Sequence, residues 1–308
     1  QLRLYQNATK GGSIKIYASG GVTITSLVVN ASGRIGDAGY IVDGGTQTNL
    51  SASTTYTMSN LSATSYVEFF QREDGSSNRI YVNTFVVTYT VPVTSTTWTG
   101  DTDTDWATAG NWDNGVPTSS LDATIPDVTN APIIGATTGA SVKDLTINEP
   151  GDGLTILGGG SLIVAGTSSG NITYTRTLTT TNWYLMASPV IGEIFDATWR
   201  DDNNIDQTNG GSNAGIAEYV TNGDTWNYAS VTGGGSTFSD GKGYAIKQDL
   251  AGNISFTGTM NVGDESISLF TTGNGYNLLG NPYPSYINSA SILTANSGSL
   301  DTETTWIW

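Results

Sequence analysis

The sequence predicts an all-β chain: two β-sandwich modules, jelly-roll or immunoglobulin-like, flanking a short β-solenoid-like segment. Three observations carry this. Apolar and polar residues alternate in short runs, the period of a strand with one wet face. The runs are separated by clusters of Gly, Asn, Ser and Thr, 39 of the 308 residues being Gly, and such clusters punctuate tight turns rather than helices. The character of the runs also changes along a chain that, at roughly 100 to 200 residues per domain, is long enough for two or three cores.

The first sandwich is assigned to 1–92. Ser13 to Tyr17, Val22 to Ile24, Tyr66 to Phe70, and Ile80 to Val82 running on into Phe85 to Tyr89 all alternate. Val91-Pro92-Val93 closes the module, because proline lacks the N–H that a central ladder needs. The segment 93–173 begins with Trp98, Trp106 and Trp112 and continues with short rungs at Asp144 to Ile147, Leu154 to Leu157 and Ser161 to Val164. Rungs at intervals of about 8 to 10 residues suit a short solenoid or tight hairpins, and the solenoid is preferred.

The second sandwich, 174–308, has longer strands bearing aromatic residues: Trp183 to Met186, Ile216 to Tyr219, Trp226 to Tyr228, Gly243 to Lys247, Ile254 to Gly258 and Ile267 to Leu269. Asn222-Gly223-Asp224 and Gly233 to Gly235 are its hairpin turns. Asn281-Pro282-Tyr283-Pro284 reads as a rigid corner and a candidate for a cis bond, since two prolines restrict φ there and push their neighbours to extended conformations. The chain begins at Gln1 rather than Met and stops in a strand-like run, Thr305-Trp306-Ile307-Trp308. A mature chain or a fragment is expected, with the last sandwich truncated and the natural polypeptide continuing.

Composition excludes several function classes. The chain has no Cys and no His, which removes thiol nucleophiles, disulfides, Ser-His-Asp arrangements and the usual structural zinc sites. Asp and Glu outnumber Lys and Arg 27 to 11, for a net charge of −16. Nucleic acid and anionic membranes are therefore disfavoured partners, because phosphate binding needs clustered cations. No apolar run approaches the ~18 to 20 residues that span a bilayer as a helix, so no transmembrane segment is expected. Low Lys with abundant Thr, Asn and Gly suits an extracellular or outer-surface location.

The block TTWTGDTDTDWATAGNWDNGVPTSSLDATIP, the segments RTLTTTNWYLMASPV and FSDGKGYAIK, and the turn GYNLLGNPYPS together resemble recurring modules of large extracellular proteins of the Bacteroidota that are exported by the type IX secretion pathway. The first module, closed by IYVNTFVVTY, also looks like sandwich modules found beside pectate-lyase-type catalytic domains and in surface proteins. The resemblance is strongest from Thr97 to Ser285. It implies a secreted or surface β-protein and names no single activity, since fold analogy does not carry function.

Three groups of residues are candidate sites. Asp101, Asp103 and Asp105 alternate with Thr as a calcium loop begins, although the Gly and distal Glu of a complete helix-loop-helix site are missing. Asp201, Asp202 and Asp206 lie in an Asn- and Gly-rich stretch where carbonyls are also at hand, a second candidate calcium set; no other cofactor is expected. Trp199, Tyr219, Trp226 and Tyr228, with Asn222 and Asp224 near them in sequence, are the candidate glycan platform, because sugar rings dock on flat aromatic faces backed by amide and carboxylate hydrogen bonds. Trp98, Trp106 and Trp112 are read instead as braces for the Gly-rich turns.

No catalytic residue is assigned. A glycosidase needs only paired carboxylates, but the few Glu residues are scattered with no recognisable motif. Ser188 has no His to serve it and no nucleophile elbow around it. The expected function is that of a non-catalytic bacterial surface protein, acting in adhesion or as a building block that self-associates into filaments. The alternative is a carbohydrate-binding accessory region of a secreted polysaccharide-degrading enzyme. Self-association or surface glycans are the expected partners.

Overall fold

In the computed structural model, which describes residues 2–5, 11–72, 79–148, 153–207 and 211–300, the chain is all-β and divides between Val93 and Thr94 into two compact units. The first contains β1 (Leu2–Leu4), β2 (Ser13–Tyr17), β3 (Thr23–Ala31), β4 (Ala38–Val42), β5 (Thr48–Leu50), β6 (Thr55–Met58), β7 (Tyr66–Gln71) and β8 (Ile80–Thr90). They form two antiparallel sheets, ordered β1-β8-β3-β6 and β2-β7-β4-β5. Leu27, Val29, Tyr56 and Met58 from the first sheet and Val67 and Phe69 from the second share one core. Alternation thus does its usual work, sending every second side chain inward.

Two details of this unit follow from single residues. The runs at Ile80 and Phe85 are one strand, because the register steps from Ala31↔Val82 to Asn30↔Thr84 and leaves Asn83 as the extra residue of a bulge. Asp43 adopts a positive φ of 48° and accepts hydrogen bonds from the backbone N–H groups of Thr64, Ser65 and Tyr66, each at 2.8 Å. Those bonds clip the turn after β4 to the start of β7 and hold the Asp43 carboxyl below its ordinary pKa.

The second unit opens with β9 (Ser95–Thr97), a 3-10 turn at Ala109–Asn111, β10 (Asp122–Ile125), β11 (Ile133–Ile134), β12 (Gly139–Val142), β13 (Leu145–Ile147), β14 (Thr155–Leu157), β15 (Ser161–Val164), β16 (Ser168–Ser169) and β17 (Ile172–Leu178). Pairing here is parallel: Ala123 stacks on Leu145, Ile133 on Thr155 and Gly139 on Ser161, a constant step of 22 residues. This is a solenoid with three strands to a coil. The shorter interval expected from the sequence is the distance between successive faces of a coil, and the full period is the longer one. Ile125, Ile134, Val142, Leu145, Ile156 and Leu162 fill its interior. At the corner before β17, Gly170 takes φ 85°, and a Cβ there would collide with the Ile147 carbonyl, so only glycine turns the chain that tightly.

The remaining elements are β18 (Tyr184–Met186), α1 (Ala197–Asp202), β19 (Asn213–Val220), β20 (Thr225–Ser230), β21 (Tyr244–Ile246), β22 (Gly252–Gly258) and α2 (Ser289–Ala295). β17 pairs in parallel with β14 on one side and antiparallel with β22 on the other. The boundary expected at 173–174 therefore falls inside a strand that serves both regions, and one core runs from Trp98 to Met260. A separate antiparallel sheet is ordered β18-β21-β19-β20, with Ile216, Tyr244 and Ile246 turned into that core. Ile267 to Leu269, expected as a strand, is not one.

Asn281 to Pro284 forms the expected corner with no cis bond; among the described residues there is none. Asn281 holds it by accepting from Tyr283 N–H at 3.0 Å and donating to the Ser285 carbonyl at 2.6 Å. Leu162 N–H donates to the Pro284 carbonyl at 2.9 Å, and Tyr286 Oη donates to the Gly159 carbonyl at 2.7 Å. The corner thus supplies a partner to β15, which among the described residues otherwise pairs only with β12, and covers an edge that would stay open to association. The expected strand from Thr305 lies outside the described residues. Among the described residues no helix is long and apolar enough to cross a membrane.

Candidate aromatic binding surface

The hairpin β19–β20 and the start of β18 build the candidate site. In register, Leu185, Ala245, Ala217 and Tyr228 form one row across four strands, and Tyr219 pairs with Trp226 in the next row. Alternation places this row on the sheet face opposite Ile216 and Ile246, away from the main core. Ala217 and Ala245 are buried, at 2% and 7% exposure, although neither belongs to that core. Their small side chains leave a low floor, across which Trp183 meets Tyr228 with ring centroids 6.0 Å apart.

Three large aromatic residues remain open to solvent on this face: Trp183 at 47%, Trp226 at 40% and Tyr228 at 42% exposure. Tyr219 packs against Trp226 at 5.4 Å. Its hydroxyl donates to Asp224 Oδ1 at 2.6 Å and accepts from Asn274 Nδ2 at 3.0 Å. The carboxylate beside it raises the Tyr219 pKa, because the hydrogen bond favours the protonated phenol. Asp224 stands at the hairpin tip with φ 52°, next to the exposed Asn222. The surface therefore combines apolar ring faces with a carboxylate, a carboxamide and a phenol at one end.

Of the expected platform, Tyr219, Asn222, Asp224, Trp226 and Tyr228 come together, and Trp199 does not. Trp199 sits in α1 at 7% exposure, packs on Phe238 and Phe256 at 5.1 and 5.6 Å, and donates its indole N–H to the Ser255 carbonyl at 2.9 Å. Asp196 caps that helix by accepting from Trp199 N–H. Trp183 and Asn274 were missed. Trp183 stands two residues before Leu185, which is a signal for the shared face, but its meeting with Tyr228 depends on strand order that spacing does not reveal.

The two acidic sets do not converge. Asp103 Oδ1 accepts from Asn111 Nδ2 at 2.7 Å and from Asp105 N–H at 2.8 Å, bonds that lower its pKa, the Asn111 bond most. Asp105 Oδ1 accepts from Ala107 N–H at 3.0 Å. Both carboxylates thus hold the loop around the tryptophans. Asp101 instead lines an open cleft of about 520 Å³ with Asp127 and Asn130. Asp201 accepts from Gln207 Nε2 at 2.9 Å, Asp202 ends α1, and the buried Asp206 is ion-paired with Lys247 at 2.5 Å. Among the described residues no three acidic side chains form a group that could hold a metal ion.

Trp98, Trp106 and Trp112 form a different aromatic group at the beginning of the solenoid. All three are buried, with Trp112 packed against Trp98 at 5.1 Å and Trp106 at 4.8 Å. Trp98 Nε1 donates to the Asn130 carbonyl and Trp112 Nε1 to the Trp106 carbonyl, so the braces expected from the sequence also close the end of the solenoid core. No curated protein and no solved structure matches the chain. The model of a domain of unknown function, DUF8693, matches residues 97–169, the stretch from the tryptophan group through β16.

Proposed function

We propose that this is a non-catalytic module of an exported bacterial surface protein, of the kind its sequence resembles in the Bacteroidota, and that it acts in adhesion by holding glycans on the β18–β20 face. The observation that carries this reading is the exposure of Trp183, Trp226 and Tyr228 on one rigid sheet face beside Asp224 and Asn274. Ring faces supply CH contacts to a sugar, and the polar end supplies hydroxyl partners. The same chemistry would serve an accessory region of a polysaccharide-degrading enzyme. The test is a glycan array probed with the wild-type chain and with Trp226→Ala. Signal on glycan spots that disappears in the variant is expected, and an unchanged pattern in the variant would remove the surface from the reading.

The building-block reading has one observation in its favour: β20 is the edge of its sheet, and an edge strand carries unpaired backbone groups able to receive another chain. Electron microscopy of the native material decides this, with ordered filaments expected for a building block and discrete particles for an adhesion module.

A further inference from the structure

The geometry of the aromatic surface points to a narrower ligand class: we infer that it takes a single chain of a neutral polysaccharide, and not the face of a crystalline one. This rests on the glycan-binding reading above. Flat crystalline polysaccharides are gripped by rings that share a plane. Here Trp183 and Tyr228 are inclined by 67° and Tyr219 and Trp226 by 64°, so neither pair offers a common plane. Trp226 and Tyr228, two residues apart on β20, stand about 7 Å from each other at the Cα level, the scale of one sugar unit and its linkage. Successive units of a free chain can turn about its axis, so their CH faces need not share a plane, and rings inclined to one another can meet them.

Charge selects the neutral class. The charged group at the end of the row is Asp224, and the chain carries −16, so a uronic-acid polymer is repelled. The two lysines flanking β21 are already committed, Lys247 to Asp206 and Lys242 to Glu218, which leaves neither as a ready counter-ion for a carboxylated sugar. Ring stacking favours pyranoses whose hydroxyls are equatorial, because these present an uninterrupted CH face. The carboxylate of Asp224 and the carboxamides of Asn222 and Asn274 then meet hydroxyls at the edge of the sugar.

The experiment is affinity electrophoresis of the full chain in gels containing soluble hydroxyethylcellulose, xylan, glucomannan or polygalacturonate, with pull-down on crystalline cellulose and chitin in parallel. Retardation by at least one soluble neutral polymer is expected, with retention weakened at least tenfold in Trp226→Ala and in Tyr228→Ala. Both residues are two-fifths exposed, and a cooperative thermal transition confirms that each variant is folded. Binding to the crystalline solids without retardation by soluble chains, or retardation by polygalacturonate alone, would overturn the ligand class and leave the glycan-binding reading standing. Failure to bind any of the polysaccharides, together with a blank glycan array, would overturn both.

Discussion

The second unit holds tryptophan in two settings, buried and exposed, and the contrast sets out what would separate a structural aromatic from one on the proposed glycan surface. Trp98, Trp106 and Trp112 and the pair Trp183 and Trp226 all make edge-to-face ring contacts of about the same length. What differs is where the rest of each ring goes. In the first group the rings are buried, and Trp98 and Trp112 each give their N–H to a protein carbonyl. In the second, two-fifths or more of each residue is exposed. Aromatic clustering alone therefore says nothing about binding; the deciding quantities are the exposed ring area and whether polar groups stand beside it.

The sharpest way to break the contrast is Trp98→Ala. Removing a buried Trp costs about 3 to 5 kcal/mol, and the loss should fall on the second unit alone, because the first has its own core. Denaturant unfolding should show the transition of the second unit moving to lower concentration while that of residues 1–93 stays in place. Movement of both would mean that the two cores are not independent. A smaller effect of about 1 to 3 kcal/mol is expected for Gly170→Ala, where a side chain must occupy a left-handed conformation against the Ile147 carbonyl; the same denaturant curves measure it.

Acid sharpens the comparison between the units. Asp43 in the first and Asp144 in the second both have lowered carboxyl pKa values, Asp43 chiefly through the N–H of Thr64 and Asp144, at about 2, chiefly through the N–H of Thr167. A carboxyl whose folded pKa lies below its unfolded value of about 3.9 stabilises the fold above that value, and the contribution is lost as pH falls through the folded pKa. Both units should therefore weaken between roughly pH 4 and pH 2. Asp144→Asn should flatten the dependence of the second unit while leaving that of the first unchanged, as read by thermal midpoints across this range. The smallest stability effect belongs to Trp226→Ala, about 0.5 to 1.5 kcal/mol by the same unfolding curves for the lost ring contact with Tyr219, although it is the variant expected to lose binding.

Much of this architecture was legible in the sequence, for identifiable reasons. Alternation located β2, β13 and β22, because a period of two leaves little choice of face, and short apolar runs located β7 and β15. The solenoid's true period was hidden, since each coil contributes three short strands and only their mutual spacing repeats visibly. The boundary at 173–174 failed because β17 spans it, pairing with β14 of the solenoid on one side and with β22 on the other. Within the site, the hairpin Asn222-Gly223-Asp224 declared Tyr219, Trp226 and Tyr228 as neighbours by local geometry. Trp199 was misplaced because residue type alone said nothing of the packing on Phe238 and Phe256 that buries it. Trp183 and Asn274 arrive from 36 and 55 residues away from Tyr219, and only tertiary structure brings them in.

The most direct test of the distinction between the two aromatic groups is to follow the eight tryptophan indole N–H resonances by NMR while titrating the soluble neutral polysaccharide that retards the protein, in fragments of six sugars. The signals of Trp183 and Trp226 should shift progressively and saturate together, with those of Trp98 and Trp112 unmoved. Shifts centred on the buried group, or saturable binding that leaves Trp183 and Trp226 unperturbed, would contradict the account.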